Sequence, residues 1–323
     1  MAIVITGVAG FIGSHLANNL LNSGELVLGI DNINSYYDIN LKKARLEDLY
    51  KHKNFTFIKK NIADDDLYNS LKQYKNIKSI IHLAAQAGVR HSLTHPFDYV
   101  ESNLIGHVRI LELARSIDGL DKLIYASSSS VYGKNKKLPF AVDDKVDNPI
   151  SLYAATKKSD ELMSYAYSHL YNIPQIGLRF FTVYGPWGRP DMAVYIFTKA
   201  INEGFPIRVF NHGEMSRDFT FIDDIINGIT ASLKLSIHSS ETPHRIYNLG
   251  NDKSEKLMDL IKLIENSLGK KAECLYEPIQ PGDVKETKAD ISSSRKDLGF
   301  SPSTSLNEGV PRFVKWYKEF YEG

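Results

Sequence analysis

Gly7, Gly10 and Gly13 constrain this chain more than any other residues. They space a turn as G-x-x-G-x-x-G, directly after the apolar run Ala2-Ile3-Val4-Ile5-Thr6. Such a run, rich in β-branched residues, reads as a strand buried on both faces of a parallel sheet. Phe11 to Leu21 then reads as a helix. Strand, glycine turn and helix follow in the order that seats a dinucleotide pyrophosphate on a helix N-terminus. Glycine permits the tight turn and the close approach of backbone to phosphate. Leu26-Val27-Leu28-Gly29-Ile30 is a second strand, and it ends at Asp31. A carboxylate there accepts hydrogen bonds from an adenosine ribose and repels a 2′-phosphate. No arginine lies between Asp31 and Tyr37 to receive such a phosphate, so the chemistry selects NAD over NADP. A glycine turn with no cofactor is the alternative reading, and Asp31 weighs against it.

The second constraint is chemical. Tyr153-Ala154-Ala155-Thr156-Lys157 places a phenol and an ammonium four residues apart, on one face of a helix. A free phenol titrates near pH ~10 and is a poor base at neutrality. An ammonium held beside a phenol favours the phenolate. Such a pair suits removing a proton from a hydroxyl while another group takes a hydride. The spacing is common on ordinary helix surfaces, so its weight comes from its company. The run Ser127 to Ser130 lies upstream, after an apolar strand, and the glycine loop opens the chain.

Strands are predicted at 2–6, 26–30, 55–59, 78–82, 121–126 and 174–180, alternating with helices at 11–22, 39–50, 64–73, 96–116 and 151–171. This alternation predicts an α/β fold, a Rossmann-type doubly wound parallel sheet with helices on both faces. Ligands then meet at the C-terminal ends of the strands. From Phe181 onward Pro186, Gly188, Pro190, Gly204, Pro206 and Gly213 interrupt the pattern. A helix at 223–235, a strand at 245–249 and helices at 254–268 and 306–321 follow. The expected organisation is an NAD-binding domain over 1–180, to which 219–250 returns, and a smaller C-terminal substrate-binding lobe from 181–218 and 251–323. A chain of 323 residues, 43% hydrophobic, suffices for both.

Composition narrows the function. With 39 basic against 38 acidic residues, nothing marks a nucleic-acid or membrane surface. Cys274 is the single cysteine, which excludes a disulfide framework and a thiolate metal cluster. His91 and His95 are spaced as zinc ligands are, but no third ligand is evident, so no metal is expected. No apolar run is long enough to span a bilayer. The apolar N-terminus reads as the first strand, not as a signal peptide. A cytoplasmic enzyme is expected.

The chain resembles the extended short-chain dehydrogenases/reductases, in their nucleotide-sugar epimerase branch. The resemblance runs nearly end to end. It rests on Thr6 to Gly13, His82-Leu83-Ala84-Ala85-Gln86-Ala87-Gly88-Val89-Arg90, Ser127 to Gly133, Tyr153 to Lys157, and Ser216-Arg217-Asp218-Phe219-Thr220-Phe221-Ile222-Asp223-Asp224. Within that branch it is most similar to UDP-glucuronate 4-epimerases, through Asp31 to Asp38, Val183 to Ala193, and Gln280-Pro281-Gly282-Asp283-Val284. The resemblance implies bound NAD, a UDP-sugar substrate and reversible C4 epimerisation through a 4-keto intermediate, with UDP-glucuronate and UDP-galacturonate as the expected pair. It also implies a homodimer, since helices near 96–116 and 151–171 pair across a two-fold in this superfamily.

Site roles follow from the same resemblance. Tyr153 takes the proton of the sugar 4-hydroxyl, Lys157 holds the nicotinamide ribose, and Ser128 bonds the reacting oxygen. NAD contacts are expected from Gly7, Gly10, Phe11, Ile12, Gly13, Asp31 and Asn32, from Asn61 and Ile62 near the adenine, and from Leu83, Ala84, Ala85 and Gln86. Substrate contacts are expected from Arg90, Ser128, Ser129, Thr182, Arg189, Arg217, Gln280 and Asp283. Arg189 follows the rigid Pro186-Trp187-Gly188 and can pair bidentately with a sugar carboxylate. Its alternative is a surface arginine that caps a turn. Arg217 is expected at the diphosphate, its alternative being a salt bridge with Asp218 or Asp223.

Sugar 4,6-dehydratases carry an Asp-Glu pair where Ser129-Ser130 stand, because elimination needs a second acid and base. UDP-glucuronate decarboxylases usually carry glutamate at position 130. This chain departs from its relatives at Asn61, where they usually carry aspartate, although an asparagine oxygen still accepts from the adenine amine. It departs from galactose-type epimerases at Gln280, where those carry arginine and glucuronate-type ones often carry glutamine. His82 reads as a satisfied core histidine, Asp64-Asp65-Asp66 as a helix N-cap and first turn, and Tyr165, Tyr167 and Tyr171 as packing or interface residues. The alternatives are a 4-epimerase of neutral UDP-hexoses or UDP-N-acetylhexosamines, and a non-catalytic NAD sensor. Ser128, Tyr153 and Lys157 weigh against the sensor, which needs none of them.

Overall fold

The computed structural model describes residues 1–74, 76–237 and 241–322. Its first half alternates strand and helix: β1 (Ala2–Thr6), α1 (Phe11–Asn22), β2 (Leu26–Asp31), α2 (Ile39–Leu49), β3 (Phe55–Lys59), α3 (Leu67–Leu71), β4 (Ile77–His82), α4 (Pro96–Tyr99), α5 (Gly106–Arg115), β5 (Lys122–Ser128), α6 (Leu152–Tyr171) and β6 (Gln175–Phe180). The second half holds β7 (Thr182–Tyr184), α7 (Ala193–Glu203), β8 (Ile207–Phe210), β9 (Ser216–Arg217), β10 (Phe219–Phe221), α8 (Ile222–Lys234), β11 (His244–Leu249), β12 (Glu255–Lys256), α9 (Leu257–Leu268), β13 (Cys274–Glu277), α10 (Ser292–Leu298) and α11 (Leu306–Tyr321).

Seven parallel strands make the central sheet, in the order β11-β6-β5-β4-β1-β2-β3. This is the doubly wound Rossmann arrangement that the alternation predicts, with β11 added beside β6. β1 is buried along its whole length, as its unbroken apolar run requires. Register aligns the strand ends: Thr6 lies opposite both Ile30 and His82, and His82 opposite Tyr125. Gly7, Asp31 and Leu83 therefore leave the sheet side by side, and β5 runs on to Ser128 beside them. The winding reverses between β1 and β4, so a crevice opens there. Three short two-stranded pairs, β7 with β10, β8 with β13 and β9 with β12, stand outside the main sheet. Among the described residues no helix is long and apolar enough to cross a membrane.

Two local expectations need correction. The helix predicted over 96–116 is interrupted by a π-helical segment, Val100–Ile105. There the Asn103 amide donates to the Gln86 carbonyl (3.0 Å) and to Thr156 Oγ1 (3.0 Å), and its oxygen accepts from Gln86 N (2.8 Å). The widened turn ties the β4 exit to α6, a use typical of π-bulges. The helix predicted over 64–73 shrinks to Leu67–Leu71, without a side-chain cap. The three aspartates that were to cap it are taken elsewhere: Asp64 accepts from Asn61 N, Asp65 pairs with Arg109 and Asp66 with Lys60.

Candidate active site

A cavity of about 880 Å³ opens over the C-terminal strand ends, between the sheet and the second half of the chain. Its floor is the glycine loop. Gly7 has φ +74°, and a Cβ there would lie 2.8 Å from Ala84 N; a Cβ on Gly13 would lie 2.1 Å from the Gly7 carbonyl oxygen. Neither position tolerates a side chain without moving backbone. Phe11, Ile12, Asn32, Ile62, Leu83, Ala84, Ala85 and Gln86 line the same wall. The Asp31 carboxylate accepts from Ala9 N (3.1 Å) and Ile33 N (2.8 Å). Burial raises its pKa, and these bonds with Lys42 and Arg45 pull back. Asp31 lines the cavity, and each of its oxygens keeps a lone pair free to accept from a ribose diol. Asn61 Oδ1 accepts from Ala63 N (3.2 Å), which leaves it one further acceptor direction. Loop, helix N-terminus and carboxylate together fit a dinucleotide.

Ser151 caps α6 by accepting from Ala154 N (3.1 Å), and this cap sets Tyr153 and Lys157 in the first two turns. Tyr153 meets the Tyr99 ring edge-on at 6.0 Å, and its hydroxyl has no hydrogen-bond partner among the described residues. Lys157 donates to the Ala126 carbonyl (3.1 Å) and to Asp160 Oδ2 (3.0 Å). The serines of the run are engaged differently. Ser127 Oγ turns inward and donates to Glu161 (2.7 Å), which also pairs with Arg179. Ser128 Oγ accepts from Ser130 N (3.1 Å), and Ser128, Ser129 and Ser130 all line the cavity. His82 is the satisfied core histidine its position suggests: its Nδ1 meets Thr6 Oγ1 at 2.7 Å, and burial lowers its pKa well below the usual range.

Arg189 lines the cavity, but part of its guanidinium is engaged. Nε and Nη2 donate to the two oxygens of Asp191, at 3.0 and 2.5 Å, and Asp191 also accepts from the Tyr36 hydroxyl (3.0 Å). Burial works against the guanidinium's charge, but the Asp191 carboxylate outweighs it and the Arg189 pKa rises. Burial likewise opposes the Asp191 charge, and Arg189 with Tyr36 holds that carboxyl below its ordinary value. One bidentate edge of the guanidinium, Nε with Nη2, is thus occupied by Asp191. Arg217 makes no ion pair with Asp218 or Asp223. It donates to the Ser216 and Lys285 carbonyls (3.0 Å each), and burial, with Arg90 nearby, holds its pKa below the guanidinium norm while Asp283 opposes. Arg90 pairs with Asp283 at 3.1 Å. Thr182 and both of those residues line the cavity. Gln280 opens the 280–283 turn, closed by Asp283 N on its carbonyl, from which Gly282 and Asp283 reach the cavity wall.

Sequence reasoning missed three residues. Asp191 and Tyr36 lie inside the stretches that carry the resemblance, but only the fold brings them to Arg189. Arg45, buried on α2, donates to the Ala9 carbonyl (2.9 Å) and the Trp187 carbonyl (2.6 Å), and so joins the glycine loop to the loop bearing Arg189. A lone arginine in a helix carries no local signal of that role.

The family model described as GDP-mannose 4,6 dehydratase matches residues 4–313. CapI of Staphylococcus aureus is 48% identical over 335 residues, covering 100% of both chains. A probable UDP-glucuronate 4-epimerase of Rhizobium meliloti is 43% identical over 99% of this chain and 98% of its own. The UDP-glucuronic acid 4-epimerase of Bacillus cereus, solved with UDP-glucuronic acid and NAD, matches with a TM-score of 0.92 and 37% identity, over 99% of this chain and 100% of that one. The chain belongs to the GDP-mannose 4,6-dehydratase family of extended short-chain dehydrogenases/reductases, among its NAD-dependent nucleotide-sugar epimerases.

Proposed function

We propose that the protein interconverts UDP-glucuronate and UDP-galacturonate by reversible epimerisation at C4, with tightly held NAD. The observation that carries this reading is one cavity lined by a dinucleotide cradle, by Ser128, Tyr153 and Lys157, and by Arg189. Gly7 to Gly13 and Asp31 would hold the cofactor, which when bound takes a hydride from C4 and gives it back. Tyr153 accepts the 4-hydroxyl proton and later returns a proton to the same oxygen. Lys157 supplies positive charge beside the phenol, and Ser128 donates to the oxygen on which charge develops. Ser129 and Ser130 offer no carboxylate to eliminate water, so the dehydratase chemistry of the wider family lacks its acid and base here. Arg217, hydrogen-bonded to the Ser216 and Lys285 carbonyls and to no carboxylate among the described residues, suits the diphosphate. Arg189 suits the uronate carboxylate. The 4-keto intermediate is a β-keto acid, and a fixed carboxylate resists the alignment that loses carbon dioxide.

The test is direct. Pure protein is incubated separately with UDP-glucuronate, UDP-glucose and UDP-N-acetylglucosamine, and products are identified by NMR. UDP-galacturonate from the first is expected to dominate. Faster turnover of a neutral sugar would transfer the assignment to that sugar. The cofactor is checked independently: denatured protein should release mainly NAD, because Asp31 excludes a 2′-phosphate. Release of mainly NADP would overturn the role given to Asp31.

The same reading includes a homodimer. Phe97, Leu162, Tyr165 and Leu170, on α4 and α6, are large, apolar and exposed. Such groups on paired helices fit a four-helix contact across a two-fold. Light scattering should give twice the chain mass, and a monomer at every concentration would refute the contact. The same reading takes the protein to be a cytoplasmic enzyme.

A further inference from the structure

Asp160 is a buried carboxylate that the mechanism above does not use. It lies one turn beyond Lys157 on α6, and its Oδ2 accepts from Lys157 Nζ at 3.0 Å. Helical pairs of this spacing are usually solvated and contribute little. Here the two side chains are only 4% and 1% exposed. The other oxygen, Oδ1, is buried without a hydrogen-bond partner among the described residues. Neighbouring Glu161 is the contrast: both of its oxygens are taken, by Ser127, Lys158 and Arg179. Buried Asp218 is satisfied too, by Thr220, Asn251 and Ala289. Those carboxylates hold the fold, whereas Asp160 serves Lys157 alone. Burial raises its pKa to about 6 although Lys157 pulls the other way.

We propose that Asp160 is a positioning residue for Lys157: with the Ala126 carbonyl it takes two of the ammonium's three hydrogens and aims the third at the cofactor ribose. The proposal rests on the role of Lys157 given above. An ammonium has three donors, and with two of them fixed the third has one direction left. With only the Ala126 bond (3.1 Å), the ammonium turns about that bond. Asp160 also gives a buried positive charge the partner it needs.

The test uses Asp160→Ala, Asp160→Asn and Lys157→Met in the full chain, with kcat and KM for UDP-glucuronate and the NAD retained per chain after gel filtration. Asp160→Ala should lower kcat at least about tenfold, since small misplacements of a catalytic group cost up to ~100-fold. It should also lower retained NAD while KM stays within about twofold. Asp160→Asn keeps an oxygen acceptor in place and should restore kcat to within about threefold of wild type. Wild-type kcat and NAD content in Asp160→Ala would overturn the proposal. So would an Asp160→Asn that folds but is as impaired as Asp160→Ala, with KM raised, because packing would then be the role. Lys157→Met separates the two levels. Full turnover in that variant discards the role of Lys157 itself. An inactive Lys157→Met beside a fully active Asp160→Ala discards Asp160 alone.

Discussion

Tyr153→Phe is expected to lose about two to four orders of magnitude in kcat and to keep its affinity for UDP-sugars, the range typical of a removed acid–base group. The substitution is clean because the hydroxyl has no hydrogen-bond partner among the described residues and the ring contact with Tyr99 does not need it. Two titratable groups near the pair are already engaged. Asp191 is tied to Arg189 and Tyr36, with its pKa held down. His82 is buried and bonded to Thr6. Ser128, Ser129 and Ser130 are neutral hydroxyls, too weakly basic to accept the proton alone. Turnover followed by NMR and affinity by calorimetry separate the two effects. Near-normal turnover would remove Tyr153 from the mechanism, and lost affinity would make it a binding residue instead.

Tyr153 was readable in the sequence because its signal is local. Four residues to Lys157, the serine run upstream and the apolar strand before it need no tertiary information. The same holds for Gly10 and Gly13, which answer to the Gly7 carbonyl a few residues away, whereas Gly7 itself meets Ala84 beyond β4. The apolar run of β1 located that strand for the same reason, since it is buried along its whole length. Partner choice is different. Asp64, Asp65 and Asp66 have the composition of a helix start, yet Asn61, Arg109 and Lys60 win them. The π-helical turn at Val100–Ile105 exists because Asn103 must reach both Gln86 and Thr156, residues on two other elements. Asp191 was invisible as a partner of Arg189 because a two-residue loop spacing carries no periodic signal.

That last pair sharpens the expectation for Arg189→Ala, which should harm UDP-glucuronate turnover far more than that of any neutral UDP-hexose. Losing one charge-assisted partner costs about 1.5–3 kcal/mol, or roughly ten- to a hundredfold. The larger end applies, because the substitution also strips Asp191 of its counter-ion. Asp191 would then face an incoming uronate as a like charge, held only by the Tyr36 hydroxyl (3.0 Å). The two side chains are 24% and 29% exposed, so water screens part of that repulsion but not all of it. A neutral sugar meets neither effect. Adding Asp191→Asn to Arg189→Ala should therefore recover part of the lost glucuronate activity and leave neutral sugars unchanged. A trace of UDP-pentose is also expected, because a freer carboxylate lets the β-keto acid lose carbon dioxide. Ratios of kcat/KM for UDP-glucuronate and UDP-glucose across the three proteins decide the matter. Equal losses on both sugars would mean that Arg189 braces the loop that Arg45 ties to the glycine turn, and the carboxylate would need another partner.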